Sequence, residues 1–241
     1  MSERIALVTG ANKGIGLQVA YGLAMLGFVV GVGSRDRLRG EAAVATLRDA
    51  GGDVFWVPLD VTDDASVATS ATVVRDRFGR LDVLVNNAGI TGGSPQTPST
   101  TDPATFHAVV DTNVVGAIRV TNAMLPLLRT SLCPRIVNVS SRSGSLTLQS
   151  TPGLTVGSTN PVAYASSKTM LNAVTIHYAK ELATTRILIN AVCPGYTATD
   201  LNEYRGSRTP QQGAAIVIQL ATLPDNGPTG QFFDEAGPVP W

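Results

Sequence analysis

The sequence predicts a doubly wound α/β fold, in which helices cover both faces of a parallel sheet of about seven strands. Short β-branched runs alternate with longer segments of helical period. The runs are apolar almost throughout, as strands buried on both faces are. A glycine-rich turn directly follows the first run. With 241 residues, 44% of them hydrophobic, the chain is expected to form one domain over residues 1–241.

The predicted elements follow in alternating order along the chain. Helix starts are marked by Thr, Asp, Asn or Pro at 62–64, 101–103 and 160–161, the last of which places Tyr164 in the first turns of a helix. The predicted strands are 5–9, 28–32, 54–57, 81–85, 135–139 and 187–192, with a possible last strand at 231–233. This order is typical of a doubly wound sheet.

Composition disfavours several classes of function. Lys plus Arg and Asp plus Glu both number 18, so neither nucleic acid nor a membrane surface is an expected partner. The start of the chain lacks the pattern of a signal peptide, which predicts a cytoplasmic location. His107 and His177 lie in no cluster of metal ligands, so no metal is expected. Cys133 and Cys193 are interpreted as small buried hydrophobic residues.

The glycine-rich turn, residues 9–16, has the sequence context of a dinucleotide site. It lies between a predicted strand and a predicted helix over 17–26. Glycines allow the backbone to approach a pyrophosphate, and the amides and positive dipole end of the helix stabilise its charge. The alternative is a simple tight turn, which the strand–turn–helix context disfavours.

The end of the second strand predicts NADP(H) rather than NAD(H). A carboxylate at this point would bind the ribose hydroxyls of NAD, but Ser34 occupies the expected position. Arg35 can bind a 2′-phosphate through two hydrogen bonds, and Lys13 can add a second charge. The alternative is that Asp36 contacts the ribose while Arg35 is a solvated residue at the start of a helix.

Tyr164 and Lys168 are four residues apart and therefore share one face of a helix. A nearby cation favours phenolate and so lowers the pKa of a tyrosine. The spacing predicts a phenol that exchanges protons near neutral pH. A surface pair without a role is the alternative, although only three lysines occur in the chain.

Taken together, six features of the sequence resemble the short-chain dehydrogenase/reductase family, with its Rossmann-type fold. The resemblance covers nearly the whole chain, and it is strongest to the NADPH-dependent carbonyl reductases, on the segments 12–16, 33–36 and 193–196. The features are Thr9-Gly10-x-x-x-Gly14-x-Gly16, Asn86-Asn87-Ala88-Gly89, Asn113, Ser140-Ser141, Tyr164-x-x-x-Lys168 and Pro194-Gly195.

The resemblance implies a set of catalytic residues for carbonyl reduction. Tyr164 would be the general acid that protonates the carbonyl oxygen, and Lys168 would tune it and bind the nicotinamide ribose. Ser141 would bond to the substrate oxygen, with Ser140 as the competing candidate. Asn113 would hold a water that continues a proton relay to the lysine.

The resemblance also implies which residues bind the cofactor, with Asp60 and Val61 at the adenine and the segment around Pro194 at the nicotinamide. The full expected set is Gly10, Asn12, Lys13, Gly14, Ile15, Gly16, Ser34, Arg35, Asp60, Val61, Asn86, Ala88, Gly89, Tyr164, Lys168, Pro194, Gly195 and Thr199.

The chain departs from the family pattern between the serine and the tyrosine. Tyr164 follows Ser141 by 23 positions, which indicates an insertion of roughly ten residues within 143–160. Its apolar residues Leu146, Leu148, Leu154 and Val156 either line the substrate pocket or belong to an exposed elaboration.

The substrate itself is not specified by any motif, because the expected pocket comprises the insertion and the segments 91–100 and 196–208. A small carbonyl compound is expected, and a homo-oligomer (dimer or tetramer) is favoured over a monomer. Two other functions remain open, an NAD-linked alcohol dehydrogenase and a catalytically silent dinucleotide sensor.

Overall fold

The computed structural model describes residues 3–93, 96–153 and 162–241. These residues form a sheet in the order β3-β2-β1-β4-β5-β6-β7-β8, which is parallel apart from the last strand. The strands are β1 (Arg4–Thr9), β2 (Phe28–Ser34), β3 (Val54–Pro58), β4 (Val83–Asn86), β5 (Arg135–Val139), β6 (Leu188–Val192), β7 (Phe232–Asp234) and β8 (Gly237–Pro238).

Helices lie on both faces of the sheet, which confirms the predicted fold class. One hydrophobic cluster joins α1, α2 and α8 to one face, and a second joins α3, α5 and α7 to the other. The helices are α1 (Gly14–Met25), α2 (Arg37–Asp49), α3 (Asp64–Phe78), α4 (Pro103–Val110), α5 (Gly116–Leu128), α6 (Leu146–Ser150), α7 (Val162–Glu181) and α8 (Pro210–Ala221).

The strand order places a binding crevice at the carboxyl end of β1. This strand pairs with β2 on one side and with β4 on the other, so the connections leave it in opposite directions. Parallel sheets of this kind bind ligands where the strand order reverses. The glycine-rich turn lies at this point.

Apart from shifts of one or two residues at the ends of other strands, three details differ from the sequence prediction. The sheet has eight strands because the tail folds back as the two-residue strand β8, antiparallel to β7. The fourth strand begins at Val83 rather than at 81; just before it, the Asp82 carboxylate accepts the Ile5 amide at 2.7 Å and the Ser131 hydroxyl at 2.5 Å. Cys133 is only partly buried, whereas Cys193 is buried as expected.

Candidate active site

The glycine-rich turn forms a cradle that only glycine can form. Gly10 and Gly14 have positive φ angles of 63° and 56°, which L residues rarely adopt. A Cβ atom on Gly16 would lie 2.5 Å from both the Asn87 amide nitrogen and the Gly10 carbonyl oxygen. The turn leads directly into α1, whose first turn contains no acidic residue. The backbone amides at this helix start can therefore receive an anionic group.

Asn87 holds the cradle in place and was not among the predicted site residues. Its side-chain amide donates to the carbonyl oxygens of Thr9 at 2.9 Å and Gly10 at 3.3 Å. In return, the Thr9 hydroxyl accepts the backbone amides of Asn87 and Ala88, both at 2.9 Å. Asn87 lies inside one of the recognised motifs, so the motif itself was the available signal.

A cleft of about 490 Å³ opens from this cradle across the carboxyl edge of the sheet. It brings together thirteen of the predicted cofactor residues: Gly10, Asn12, Lys13, Gly14, Ile15, Gly16, Ser34, Arg35, Asp60, Val61, Ala88, Gly89 and Thr199. It also includes Asp200 and Leu201, from the segment expected at the substrate pocket, and residues that the sequence did not indicate, among them Leu59, Thr62, Ile90 and Thr112.

Positive charge lies at the β2 end of the cleft. Arg35 is exposed and lines the cleft beside the buried Ser34. Asp36, the alternative ribose ligand, instead caps α2 by accepting the Arg39 amide at 3.0 Å. Burial alone would raise the pKa of Asp60, but hydrogen bonds from the Thr62 hydroxyl (2.7 Å) and amide (2.9 Å), with the charge of Arg35, lower it. Asp60 is therefore a carboxylate at neutral pH.

Lys13 spans the mouth of the cleft. Its ammonium forms an ion pair with Asp200, in the segment that follows β6. Both side chains are about half exposed. An exposed pair of this kind contributes little to stability and is readily exchanged for another anion. Lys13 is thus placed beside the cleft, as predicted, but its charge is shared with a carboxylate.

The predicted catalytic pair lies on the first turns of α7, at the carboxyl end of β5. The Lys168 ammonium lies 5.5 Å from the centre of the Tyr164 ring and donates to the Val139 carbonyl oxygen at 2.7 Å. A Cβ atom placed on Gly89, which lines the cleft, would be 3.7 Å from the same ammonium. The pair therefore adjoins the cleft on the side away from Arg35.

The pKa of the tyrosine is shifted in the direction opposite to the expectation. Burial raises the pKa of Tyr164 above its usual range, while the Ser141 hydroxyl acts in the opposite sense. A charged Cys193 would raise it further, but burial raises the pKa of that thiol too, so it is neutral at pH 7. Burial also lowers the pKa of Lys168 to about 8. Desolvation thus sets the direction of both pKa shifts, and Tyr164 is a phenol at neutral pH.

The two candidate serines have different surroundings. Ser140 is buried, and its hydroxyl donates to the Asn172 side-chain oxygen at 2.6 Å. Ser141 is partly exposed, and its hydroxyl is 2.8 Å from the Ser143 hydroxyl. It also lies close enough to the Tyr164 phenol to lower the pKa of that phenol. This geometry favours Ser141 over Ser140 as the residue that meets a substrate.

Asn113 lies in a π-helical turn, Asp111–Val115, between α4 and α5. Such turns often occur at functional sites. Its side-chain amide donates to the Ile90 carbonyl oxygen and to the Ser167 hydroxyl, both at 2.9 Å, and its oxygen accepts the Ile90 amide at 2.8 Å. The side chain therefore fixes one wall of the cleft against α7. A water relay through Asn113 stays a prediction.

Five predicted cofactor residues are not part of the cleft lining: Tyr164 and Lys168, described above, and Asn86, Pro194 and Gly195. Asn86 is buried within the sheet, where its amide donates to Thr121 at 3.0 Å and Asn138 at 2.9 Å. Its role in the structure is to support the sheet. Pro194 is buried and Gly195 is exposed with a φ of 79°, both directly after β6.

The inserted segment is described up to residue 153. It begins with a short 3₁₀ turn, Arg142–Gly144, and continues as α6. Leu148 packs against the cluster of Ala191, Cys193, Phe232 and Val239 and does not line the cleft, and Leu146 is exposed. Leu154 and Val156, which were also expected near the pocket, lie outside the described residues.

Neither a metal site nor a membrane span is found in the described parts of the chain. Over residues 3–93, 96–153 and 162–241, no group of three or more potential ligands could hold a metal ion. Over the same ranges, no helix has both the length and the apolar character needed to cross a bilayer.

Comparison with known proteins decides the family. The model of the short chain dehydrogenase family matches residues 4–210. The chain belongs to the short-chain dehydrogenase family. A carbonyl reductase 1 of Bos taurus, named for NADPH, is 34% identical over 100% of the chain and 99% of the relative. The structure of NADPH-bound carbonyl reductase from chicken fatty liver superposes with a TM-score of 0.86, at 27% identity and full coverage of both chains.

A plant member of the short-chain dehydrogenase family shows how this chain differs in length. The (+)-neomenthol dehydrogenase of Capsicum annuum is 33% identical over 300 aligned positions, which include 96% of each chain. Since this chain has 241 residues, the relative contains segments that the chain lacks. An insertion at this one place therefore does not show that the chain as a whole is longer than its relatives.

Proposed function

We propose that this protein reduces ketones or aldehydes to alcohols by hydride transfer from NADPH, with Tyr164 as the proton donor. The observation that carries the proposal is the position of a protonated phenol and a buried ammonium beside a cleft that begins in a glycine cradle. The names of the bovine and avian relatives support the same chemistry.

The residues present fit a dinucleotide. The turn of Gly10, Gly14 and Gly16 follows a backbone path that a Cβ atom would disturb, and it presents the start of α1 to the cleft, where a pyrophosphate would bind. Arg35 supplies the charge for a 2′-phosphate, and Asp36 is engaged as a helix cap. These two observations favour NADP(H) over NAD(H).

The remaining cofactor contacts are assigned from the positions of the residues along the cleft. We assign the adenine to Asp60 and Val61, and the nicotinamide end to the segment from Pro194 to Thr199. Lys168 would bind the nicotinamide ribose, with Ala88 and Gly89 beneath the adenosine side. When bound, the cofactor supplies the hydride that the carbonyl carbon receives.

The chain's own residues supply orientation and a proton. Ser141 donates a hydrogen bond to the carbonyl oxygen and so fixes its direction. The Tyr164 hydroxyl transfers its proton to that oxygen as the carbon is reduced, which leaves a phenolate. The nearby Lys168 ammonium stabilises this new negative charge, and it can do so only while it is itself protonated. The raised pKa of Tyr164 keeps the phenol protonated and available before reaction.

Substitution of Tyr164→Phe tests the proposal. The variant should lose turnover of a panel of carbonyl compounds, measured as loss of NADPH absorbance, while NADPH binding measured by fluorescence persists. Tyr178→Phe is a matched control, because Tyr178 lies on the same helix as Tyr164 but outside the cleft lining, and its hydroxyl donates to the Asn122 side-chain oxygen on α5. Activity in Tyr164→Phe equal to that of the wild type would refute the proposal. Uniform inactivity of the wild type with tight NADPH binding would instead favour a dinucleotide sensor.

A further inference from the structure

The buried face of α7 contains polar side chains that reach the ends of the neighbouring strands. Lys168, Asn172 and Thr175 are all at most 4% exposed. Burial of such groups is tolerated when each has a hydrogen-bond partner. Lys168 belongs to the proposed active site, whereas Asn172, one turn further along, has no role in the mechanism above.

Asn172 bonds to both ends of the turn that contains Ser141. Its side-chain oxygen accepts the Ser140 hydroxyl at 2.6 Å, and its side-chain amide donates to the Gly144 carbonyl oxygen at 3.2 Å. Ser141 lies between these two anchors. Asn172, which lies on the same helix as Tyr164, is therefore hydrogen-bonded to the turn on both sides of Ser141.

The turn also packs closely against α7. A Cβ atom on Gly144 would lie 2.6 Å from the carbonyl carbon of Lys168. The Ser140 hydroxyl is 3.4 Å from the Lys168 carbonyl oxygen. Within the turn, the Ser141 hydroxyl accepts the Ser143 amide at 3.2 Å. The turn thus has little freedom as long as Asn172 holds its two ends.

We infer that Asn172 is a positioning residue, which sets the place of the Ser141 hydroxyl relative to Tyr164 by holding Ser140 and Gly144. The inference rests on the proposed function, because Ser141 and Tyr164 must meet the same carbonyl oxygen. In this inference, Ser140 connects Asn172 to Ser141: its hydroxyl bonds to Asn172, and Ser141 is the next residue in the chain. A small misplacement of reacting groups can reduce a rate by roughly 100-fold.

The test compares Asn172→Leu and Ser140→Ala with Thr175→Val as a matched control. Thr175 is fully buried, accepts the Asn138 amide at 2.9 Å, and does not contact the turn. Its replacement removes a comparable buried hydrogen bond from the same helix. Any effect shared by all three variants is therefore a general effect of weakening α7.

Two measurements are expected to separate the variants. Hydrogen exchange of the amides in 140–145 should be faster in Asn172→Leu and Ser140→Ala than in the wild type and in Thr175→Val. In the same two variants, kcat should fall by roughly tenfold or more, while the Kd for NADPH is unchanged. The double variant should lose no more kcat than the more damaging of the two single variants, because both substitutions break the hydrogen bond between Asn172 and Ser140.

Exchange rates and kcat equal to those of Thr175→Val would overturn the inference. If the wild type reduces no carbonyl compound, the proposed function fails, and the exchange measurement alone decides whether Asn172 positions the turn.

Discussion

Replacing Lys168 by methionine should make the protein more stable at neutral pH while removing its activity. Lys168 is 4% exposed, and burial lowers its pKa from 10.5 to about 8. One pKa unit corresponds to about 1.4 kcal/mol, so keeping the ammonium buried costs about 3 kcal/mol. Loss of the charged hydrogen bond to the Val139 carbonyl oxygen offsets about 2 kcal/mol of this. The expected net gain is about 1 kcal/mol.

The dependence on pH separates the effect of charge from the effect of packing. Below pH 8 the lysine is protonated in both the folded and the unfolded protein, so the cost is present in full. Between pH 8 and 10.5 the unfolded protein binds more protons than the folded one, so the wild type gains stability as pH rises. The advantage of Lys168→Met should therefore shrink by about 2 to 3 kcal/mol across this range, whatever the value of the hydrogen bond.

Urea unfolding of both proteins at pH 6.5, 8, 9 and 10 would measure this difference. Lys180→Met is the matched control, since Lys180 is exposed near the end of the same helix. It should change stability little, and by the same amount at every pH. A difference between wild type and Lys168→Met that does not vary with pH would refute the reasoning that desolvation controls the charge of this lysine.

Three further predictions concern the cofactor and the pH dependence of the rate. Arg35→Ala should weaken NADPH binding by about tenfold or more and leave NADH binding unchanged. Arg37→Ala is the control and should affect neither cofactor, because the Arg37 side chain pairs with Glu41. Equal losses of affinity for both cofactors in Arg35→Ala would count against a 2′-phosphate site. Gly16→Ala should abolish dinucleotide binding because its Cβ atom would lie 2.5 Å from the Gly10 carbonyl oxygen; retained affinity would exclude this cradle. Gly27→Ala is the control: its Cβ atom meets no other atom, so it adds only the backbone strain of a φ of 80° and should keep dinucleotide binding. The rate of carbonyl reduction should fall as pH rises through about 8, where Lys168 loses its proton; a rate that rises over that range would contradict the assigned role of the ammonium.

The fold could be predicted because its signals are local. Continuous apolar strands, strong caps such as Asp63 and Asp102, and a glycine turn after β1 all agree with one architecture. The two-residue strand β8 gave no such signal, since it is too short for a pattern and depends on pairing with β7. The start of β4 differed from the prediction by two residues, and the long-range bond between Asp82 and Ile5 beside it, 77 residues apart, gave no local signal either.

The site was predictable where its residues belong to sequence motifs, and less so where burial decides their chemistry. The spacing of Tyr164 and Lys168 predicts that both lie on one helix, as they do on α7, but spacing contains no information on desolvation, which reverses the expected direction of the tyrosine pKa. Asn172 was missed for a similar reason. Its partners Ser140 and Gly144 are 32 and 28 residues away, and they meet it only when β5 lies against α7.

The most direct test of the account is a crystal structure of the protein with NADPH bound. The account predicts that the pyrophosphate lies on the cradle of Gly10, Gly14 and Gly16, that the 2′-phosphate contacts Arg35, and that the nicotinamide ring lies beside the Tyr164 hydroxyl with its ribose on Lys168. A dinucleotide bound along a different edge of the sheet, with its nicotinamide away from Tyr164, would contradict it.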